Sequence, residues 1–257
     1  MTISIFQITT FLSELLWNTL RVAGFFMVVP IFGNQLVPPR IRLALCFAVG
    51  IALIPVLGDA PNLMDFDLSV IAQLFQQILV GVGLGFSAVI FFQVFIVAGQ
   101  FIGMQMGLGF AAMVDPGNGV SVTVWSQFFL MLVTLSFLVL NGHLILLEVF
   151  VTGFKMFPSG TDLSVSEYAQ RIVRMGGWMF VGGILLAIPA VISLLIVNIT
   201  FGVMNRSAPQ LNVFSLGFPF SLLFGLGIIW FLLHGWTDQF HRLASQFLEL
   251  VADNQRK

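Results

Sequence analysis

The sequence predicts an all-α, polytopic helical membrane protein, and its composition and long apolar segments are the observations behind that prediction. Of its 257 residues, 58% are hydrophobic and only 8% are charged, with a mean hydropathy of +1.04. Soluble domains carry about a quarter charged residues, so the chain belongs in or against a membrane. The net charge of -1 and the lack of a basic patch exclude nucleic-acid binding.

Six apolar segments are near or above the length that spans a bilayer, and they predict about six long helices that form hairpins. Proline and glycine residues fall at their boundaries, where such residues break helices. No soluble second domain, low-complexity linker or fixed repeat is evident, so we expect one helical domain over residues 1–257. The segments are 11–29, 41–57, 70–98, 122–140, 178–203 and 213–233.

Two further helical features lie at the ends of these segments. The sequence Ser164-Val-Ser-Glu167 has the capping-box pattern and predicts the start of a helix that runs into Trp178. Residues 238–257 keep apolar positions at helical spacing against charged ones, which predicts an amphipathic C-terminal helix. That helix could dock a partner or lie at a lipid interface.

Lysine and arginine residues do not fit an ordinary model of six alternating spans. Arg40 and Arg42 place the first loop in the cytoplasm, but the later loops would then put Lys155, Arg171 and Arg174 outside. Either the charge rule fails in this chain, or its helices do not all cross the bilayer as simple spans. Both interpretations stay open.

The segment 68–114 is the most informative part of the chain. Its 47 residues contain no Asp, Glu, Lys, Arg or His. One continuous helix of that length would reach roughly 70 Å, about twice a bilayer core, so the chain must turn within it. Irregular backbone at membrane depth is tolerated only where protein buries it or where it lines a wet cavity. Residues 99–121 are therefore predicted to be an inward loop at a pore, a gate or a tight subunit seam.

Glycine and methionine residues are interleaved in this inward loop. Glycines at four-residue spacing allow close approach of helix backbones, and unbranched methionines deform to seal a passage or fill gaps in a core. Close packing and a deformable seal are both consistent with the pattern. A strong turn signal, Asp115-Pro-Gly-Asn-Gly119, follows. The glycines are Gly99, Gly103 and Gly107, and the methionines are Met104, Met106 and Met113.

Glu14, Asn18 and Arg21 form a polar stripe on the first helix, because their spacings of four and three place them on one face. Polar groups inside an apolar segment are costly in lipid, so this face should meet protein. We expect it to pack against polar groups of a neighbouring subunit. A role in moving ions is the alternative.

The sequence offers no credible catalytic, cofactor or metal site. His143 and Glu148 lie five residues apart, on different helix faces, with no nucleophile nearby. His234 and His241 lie at a segment end, where solvated histidine is the ordinary state. The lone Cys46 allows no disulfide within the chain and no cysteine-based metal site. We therefore predict a protein that is not an enzyme.

Several motifs, in order along the chain, resemble the FliR family of flagellar export-gate proteins. The most specific are the patterns G-Q-x-I-G-x-Q-M-G and R-x-A-P-Q-L-N-V-F, and single pieces such as Asn-Gly-His are weaker. The virulence type III secretion homologues are similar in architecture. The matching residues are Arg21 with Val29–Gly33, Val37–Arg42, Ala98–Gly107, Asp115–Pro116, Asn141–His143, Arg206–Phe214 and Gly217–Pro219.

The resemblance implies a non-enzymatic subunit of the flagellar type III export gate, in the inner membrane at the flagellar basal body. Such proteins assemble with FliP and FliQ, FlhB wraps the entrance, and unfolded flagellar subunits pass through. The plug residues it implies are Gly103, Met104, Met106, Phe110, Met113 and Asp115. The residues we expect at subunit interfaces are Glu14, Asn18, Arg21, Gly99, Gly107, Arg206, Pro209, Gln210 and Asn212.

A small-solute secondary transporter or channel is the alternative function. Transporters of that kind usually carry paired repeats with interrupted helices in matching positions. This chain has only one interrupted tract, which favours the export gate. A third class, an intramembrane enzyme, would need the catalytic set that the sequence lacks.

Overall fold

The computed structural model describes residues 5–33, 37–57, 68–109, 122–158, 164–207 and 213–256. These residues form helices joined by short irregular segments, which confirms the all-α prediction. The helices are α1 (Ile5–Val28), α2 (Pro39–Leu57), α3 (Leu68–Gln105), α4 (Val124–Val139), α5 (Gly142–Met156), α6 (Val165–Ser207), α7 (Val213–His234) and α8 (Trp236–Arg256).

Each of the six predicted apolar segments lies largely within a helix, but spanning character is less widespread than predicted. Three helices, α3, α6 and α7, are long and apolar enough to cross a membrane. A fourth span is possible if α4 and α5, which are bent by 77°, count as one broken span. Within the described residues the structure therefore supports three or four spans, and it shows the expected six long apolar helices only in part.

Helix α5 was not predicted as a separate element. It follows α4 after a sharp bend at Asn141, whose φ of 55° lies in the left-handed region. Asparagine tolerates that region better than most residues, because its short amide side chain bonds locally. The Asn-Gly-His motif is thus the corner between two helices.

Helix α6 begins where the capping-box pattern predicted. The Ser164 hydroxyl accepts a hydrogen bond from the Glu167 backbone N–H at 3.4 Å, and the helix continues for 43 residues. Pro189 lies inside it without ending it, although proline removes one backbone hydrogen bond.

The chain divides into two compact units. The first contains Met1–Ile90, Asn141–Gly176 and Leu248–Lys257. In it α1 lies against α3 with almost no space between the backbones. A Cβ added at Gly81 would come within 2.1 Å of the Arg21 carbonyl oxygen, and one at Gly24 within 2.5 Å of the Ile78 oxygen. Glycine is therefore required on both helices.

The second unit contains Phe91–Leu140 and Gly177–Phe247. Its centre is a group of aromatic rings in which Phe95 packs on Trp236 and Phe240, and Trp236 stacks on Phe129 at 5.7 Å between ring centroids. Aromatic pairs of this geometry contribute about 0.5–1.5 kcal/mol beyond their area burial. The Trp236 indole also donates to Ser136 Oγ at 2.8 Å.

Helix α8 is amphipathic, as predicted. Phe240, Leu243 and Phe247 on one face are buried, whereas His241 and Arg242 are exposed. The apolar face is covered by this chain's own residues, including Phe91 against Phe247. Within the described residues, this apolar face therefore packs against the same chain.

Candidate functional site

The C-terminal end of α3 is a glycine-terminated helix cap. Gly107 has a φ of +85°, its N–H donates to the Met104 carbonyl, and the Leu108 N–H donates to the Gly103 carbonyl, both at 3.0 Å. This pair of bonds is the Schellman motif, in which a left-handed residue satisfies the last helical carbonyls. Gly107 therefore ends the long apolar helix, and the predicted turn within residues 68–114 is confirmed.

The chain returns to the same level of α3 at the start of α4. Thr123 is the N-cap of α4, and its hydroxyl accepts from the Ser126 N–H at 3.3 Å. The Thr123 N–H donates to Gln100 Oε1 at 2.9 Å, and its hydroxyl donates to the Gly99 carbonyl at 3.2 Å. Both ends of the tract between α3 and α4 are thus held on the last turns of α3.

Two glycines make that return possible. A Cβ at Gly99 would lie 2.7 Å from the Ser126 Cα, and one at Gly103 would lie 2.6 Å from the Thr123 hydroxyl oxygen. The sequence assigned Gly99 to a subunit interface, but the structure places it against this chain's own α4. The close-packing interpretation of the glycine spacing therefore applies to both residues.

Two methionines of the inward loop lie among the described residues, and their environments are opposite. Met104 is 48% exposed, whereas Met106 is 1% exposed and packs on Gly225 of α7. A Cβ at Gly225 would come within 2.4 Å of the Met106 Cε. Met106 therefore fills a gap in the core, whereas the Met104 side chain is accessible. Phe110, Met113 and Asp115 lie outside the described residues.

The polar stripe of α1 is directed into the first unit. Arg21 is completely buried and Asn18 is 3% exposed, while Glu14 is partly exposed. Asn18 and Arg21 are thus buried by this chain itself. The expected packing of the stripe against a neighbouring subunit stays a prediction.

Arg21 joins three parts of the first unit. Its guanidinium donates to Gln77 Oε1 on α3 and, at 2.7 Å, to the Phe157 carbonyl after α5. The guanidinium carbon lies 4.0 Å from the centre of the Phe154 ring, within the range of a cation–π contact. A cation with these contacts fixes the mutual positions of the segments that it bonds, because each contact has a defined direction.

Arg206 is exposed at the end of α6, so its side chain is available to a partner. Pro209, Gln210 and Asn212 lie outside the described residues. Helix α6 ends at Ser207 and α7 begins at Val213, and the turn predicted between them lies outside the described residues. Among the described residues no group of three His, Cys, Asp or Glu side chains could hold a metal ion.

Comparison with known proteins decides the family. The model of the family described as bacterial export proteins, family 1, matches residues 12–247, which is nearly the whole chain. The chain belongs to this export family. The resemblance that the motifs indicated is thereby confirmed.

Curated relatives of this export family are similar over almost their full lengths. The flagellar biosynthetic protein FliR of Escherichia coli strain K12 is 34% identical over 249 residues, covering 96% of this chain and 94% of that protein. The FliR of Pectobacterium carotovorum is 31% identical, covering 98% and 97%. The FliR of Aquifex aeolicus is 30% identical, covering 85% and 84%.

Three amide side chains that join helices in this member of the export family were not singled out from the sequence. Gln77 accepts two hydrogen bonds from the Arg21 guanidinium, Gln100 accepts one each from Thr123 and Ser126, and Asn198 bonds both the Gln105 carbonyl and Ser221. The available signal was their polarity, because an uncharged amide inside a long apolar segment also needs a partner. They carry no charge, so the charge pattern of the chain does not reveal them.

Proposed function

We propose that the chain is a non-enzymatic subunit of the flagellar type III protein export gate, in the bacterial inner membrane at the flagellar basal body. With FliP and FliQ it forms the channel through which unfolded flagellar subunits are exported, and FlhB joins the same complex. Family membership and the FliR relatives support this proposal. The structural observation that carries it is the interruption of α3 at Gly107.

The interruption suits a passage because of its surroundings. The tract starts at the end of an apolar helix of membrane-spanning length, where bare peptide groups are tolerated only beside protein or water. Met104 is exposed at this end, and a flexible thioether side chain adapts to cargo of varied shape. A passage for unfolded chains needs such an adaptable lining, since the side chains of the cargo vary in size and shape along its sequence.

Individual residues divide into plug, support and contact roles. Met104, Phe110, Met113 and Asp115 belong to the plug, and Gly103 and Met106 hold its base from within the chain. Arg206, which is exposed, contacts a partner subunit. The same contact role is proposed for Pro209, Gln210 and Asn212.

Affinity purification from membranes tests the function. A tagged chain, purified in mild detergent, is expected to bring down FliP, FliQ and FlhB as one complex, with the partners identified by mass spectrometry. An unrelated tagged inner-membrane protein of equal abundance is the control. Recovery of this chain alone, or only as a homo-oligomer, would favour the small-solute transporter and refute the proposal.

Ion leakage tests the plug. Replacing Met104 and Phe110 with alanine removes apolar bulk that excludes water and ions, so the assembled complex should conduct ions at rest. The control is Met131→Ala, because Met131 is a similarly exposed methionine of α4 outside the tract. A barrier as tight as that of the control, with assembly intact, would assign this tract to packing and the gate to a partner.

A further inference from the structure

A cavity of about 670 Å³ lies beside the capped end of α3, within the second unit. Its walls come from the last residues of α3 and from helices α6 and α7. The volume is within the range that holds bound ligands in proteins. Its position next to Gly107 places it at the base of the proposed plug.

Two of the polar groups in this cavity are already committed to holding the helices together. The Asn198 amide donates to the Gln105 carbonyl at 3.2 Å, and the Ser221 hydroxyl donates to Asn198 Oδ1 at 2.8 Å. These bonds connect α3, α6 and α7 around the cavity. They fix its shape, so the cavity is preformed.

Two further carboxamides in the lining remain unused. The side chains of Gln105 and Asn205 make no hydrogen bond within the part of the chain that the structure describes. Gln105 is half-buried and Asn205 is exposed, so both carboxamides are accessible to an occupant of the cavity.

The chemistry of the lining selects among occupants. A carboxamide offers an N–H donor and a carbonyl acceptor, which is the same pair that each peptide unit offers. A lipid tail offers neither group, and no described residue of the lining carries a charged side chain for an ion. Met104, Phe201 and Phe218 supply apolar walls for side chains of varied shape.

We propose that this cavity binds the backbone of an extended, unfolded polypeptide in transit, through the carboxamides of Gln105 and Asn205. Recognition is independent of the cargo sequence, because the bonds go to peptide groups. The inference rests on the proposed export function and adds to it the site at which the exported chain is held.

Photocross-linking of a stalled cargo tests the inference. A flagellar subunit fused to a tightly folded domain is trapped in the complex, and p-benzoylphenylalanine replaces Phe218 in the cavity. Phe231, an exposed phenylalanine of α7 that does not line this cavity, is the matched control position. The position of Phe218 should cross-link to the stalled subunit, and that of Phe231 should not.

The outcomes separate this inference from the proposed function. If the stalled subunit co-purifies but Phe218 cross-links only to lipid, to a partner subunit or within its own chain, the cavity is not the binding site. If no stalled subunit associates with the complex and none is secreted by the unaltered chain, the export function itself fails.

Removing the amides gives an independent measurement. The double variant Gln105→Leu, Asn205→Leu should lower the cross-link yield and the secretion rate about tenfold, with co-purification of the complex unchanged. Stalled subunits with different sequences in transit should cross-link equally from Phe218. Unchanged yield in the double variant, or cross-linking confined to one cargo sequence, would overturn backbone recognition.

Discussion

Gly99, Gly103 and Gly107 share a four-residue spacing, but different physical reasons require each of them. Gly99 and Gly103 allow the backbone and side chains at the start of α4 to touch α3. Gly107 adopts a left-handed conformation that costs other L-residues about 1–2 kcal/mol. The spacing predicted close packing correctly, but it carried no information about which chain supplies the contact.

A methyl group added at Gly99 should destabilise the chain. The new Cβ would meet backbone atoms of Ser126 at 2.7 Å, and backbone cannot move aside cheaply. We expect Gly99→Ala to lower the free energy of unfolding by about 1–3 kcal/mol. The thermal midpoint of the chain, purified together with its co-expressed partner subunits, measures the change.

Gly177→Ala is the matched control, because nothing lies within 4 Å of a Cβ there. Alanine also favours helix over glycine by up to about 1 kcal/mol, so this variant should be neutral or more stable. Equal losses in both variants would contradict the packing assigned to Gly99.

Arg21 provides a second prediction at this scale. Arg21→Met should leave Gln77 Oε1 and the Phe157 carbonyl without their donor, at a cost of about 1–3 kcal/mol for a buried unsatisfied group. Arg21→Lys should recover only part of the lost stability, because the lysine ammonium group lacks the planar fork of the guanidinium. The thermal midpoint of unfolding in detergent, measured on the chain purified with its partner subunits, compares both variants.

A double-mutant cycle with Gln77→Met isolates the pair. If the two side chains act together, the double variant should lose less stability than the sum of the losses in the two single variants. Strict additivity would show that Arg21 stabilises the first unit through other contacts.

At the scale of elements, the start of α4 holds the tract in place. The Thr123 hydroxyl caps α4 and bonds the Gly99 carbonyl, so it serves two helices. Thr123→Val keeps the shape but removes the hydroxyl and should cost about 1–2 kcal/mol. Thr123→Ser keeps the hydroxyl and should lose much less, as judged by thermal midpoint. A large loss in Thr123→Ser with little loss in Thr123→Val would assign the effect to the methyl group instead.

Sequence patterns predicted the elements unevenly, and the reasons are physical. The capping box at Ser164 and the amphipathic pattern of α8 are local signals, and the structure confirms both. Helix α5 was missed because its 15 residues are shorter than a spanning segment and follow a break at Asn141. The neighbours of Arg21 are 56 and 136 residues away, so no local pattern contains them.

At the scale of the whole molecule, the three spanning helices differ in how much of their surface the chain itself covers. Helix α3 is mostly buried, whereas α6 and α7 expose large apolar side chains such as Ile196, Trp230 and Phe231. Lipid or partner subunits must cover these faces, since apolar patches of this size are rare on isolated soluble proteins.

Dependence on partners follows from this exposure and from the proposed function. Expressed without FliP and FliQ, the chain should aggregate or be degraded, and co-expression should restore its abundance. Immunoblotting of membrane fractions measures the difference. A monodisperse, long-lived monomer in detergent would contradict the prediction.

Secretion of flagellar subunits into the medium tests the central claim, that this chain is a subunit of the flagellar protein export gate. Cells depleted of the chain should stop secreting hook and filament subunits, while a protein secreted by another route continues to appear. Resupplying the unaltered chain should restore secretion. Full secretion of flagellar subunits in the absence of the chain would contradict the account.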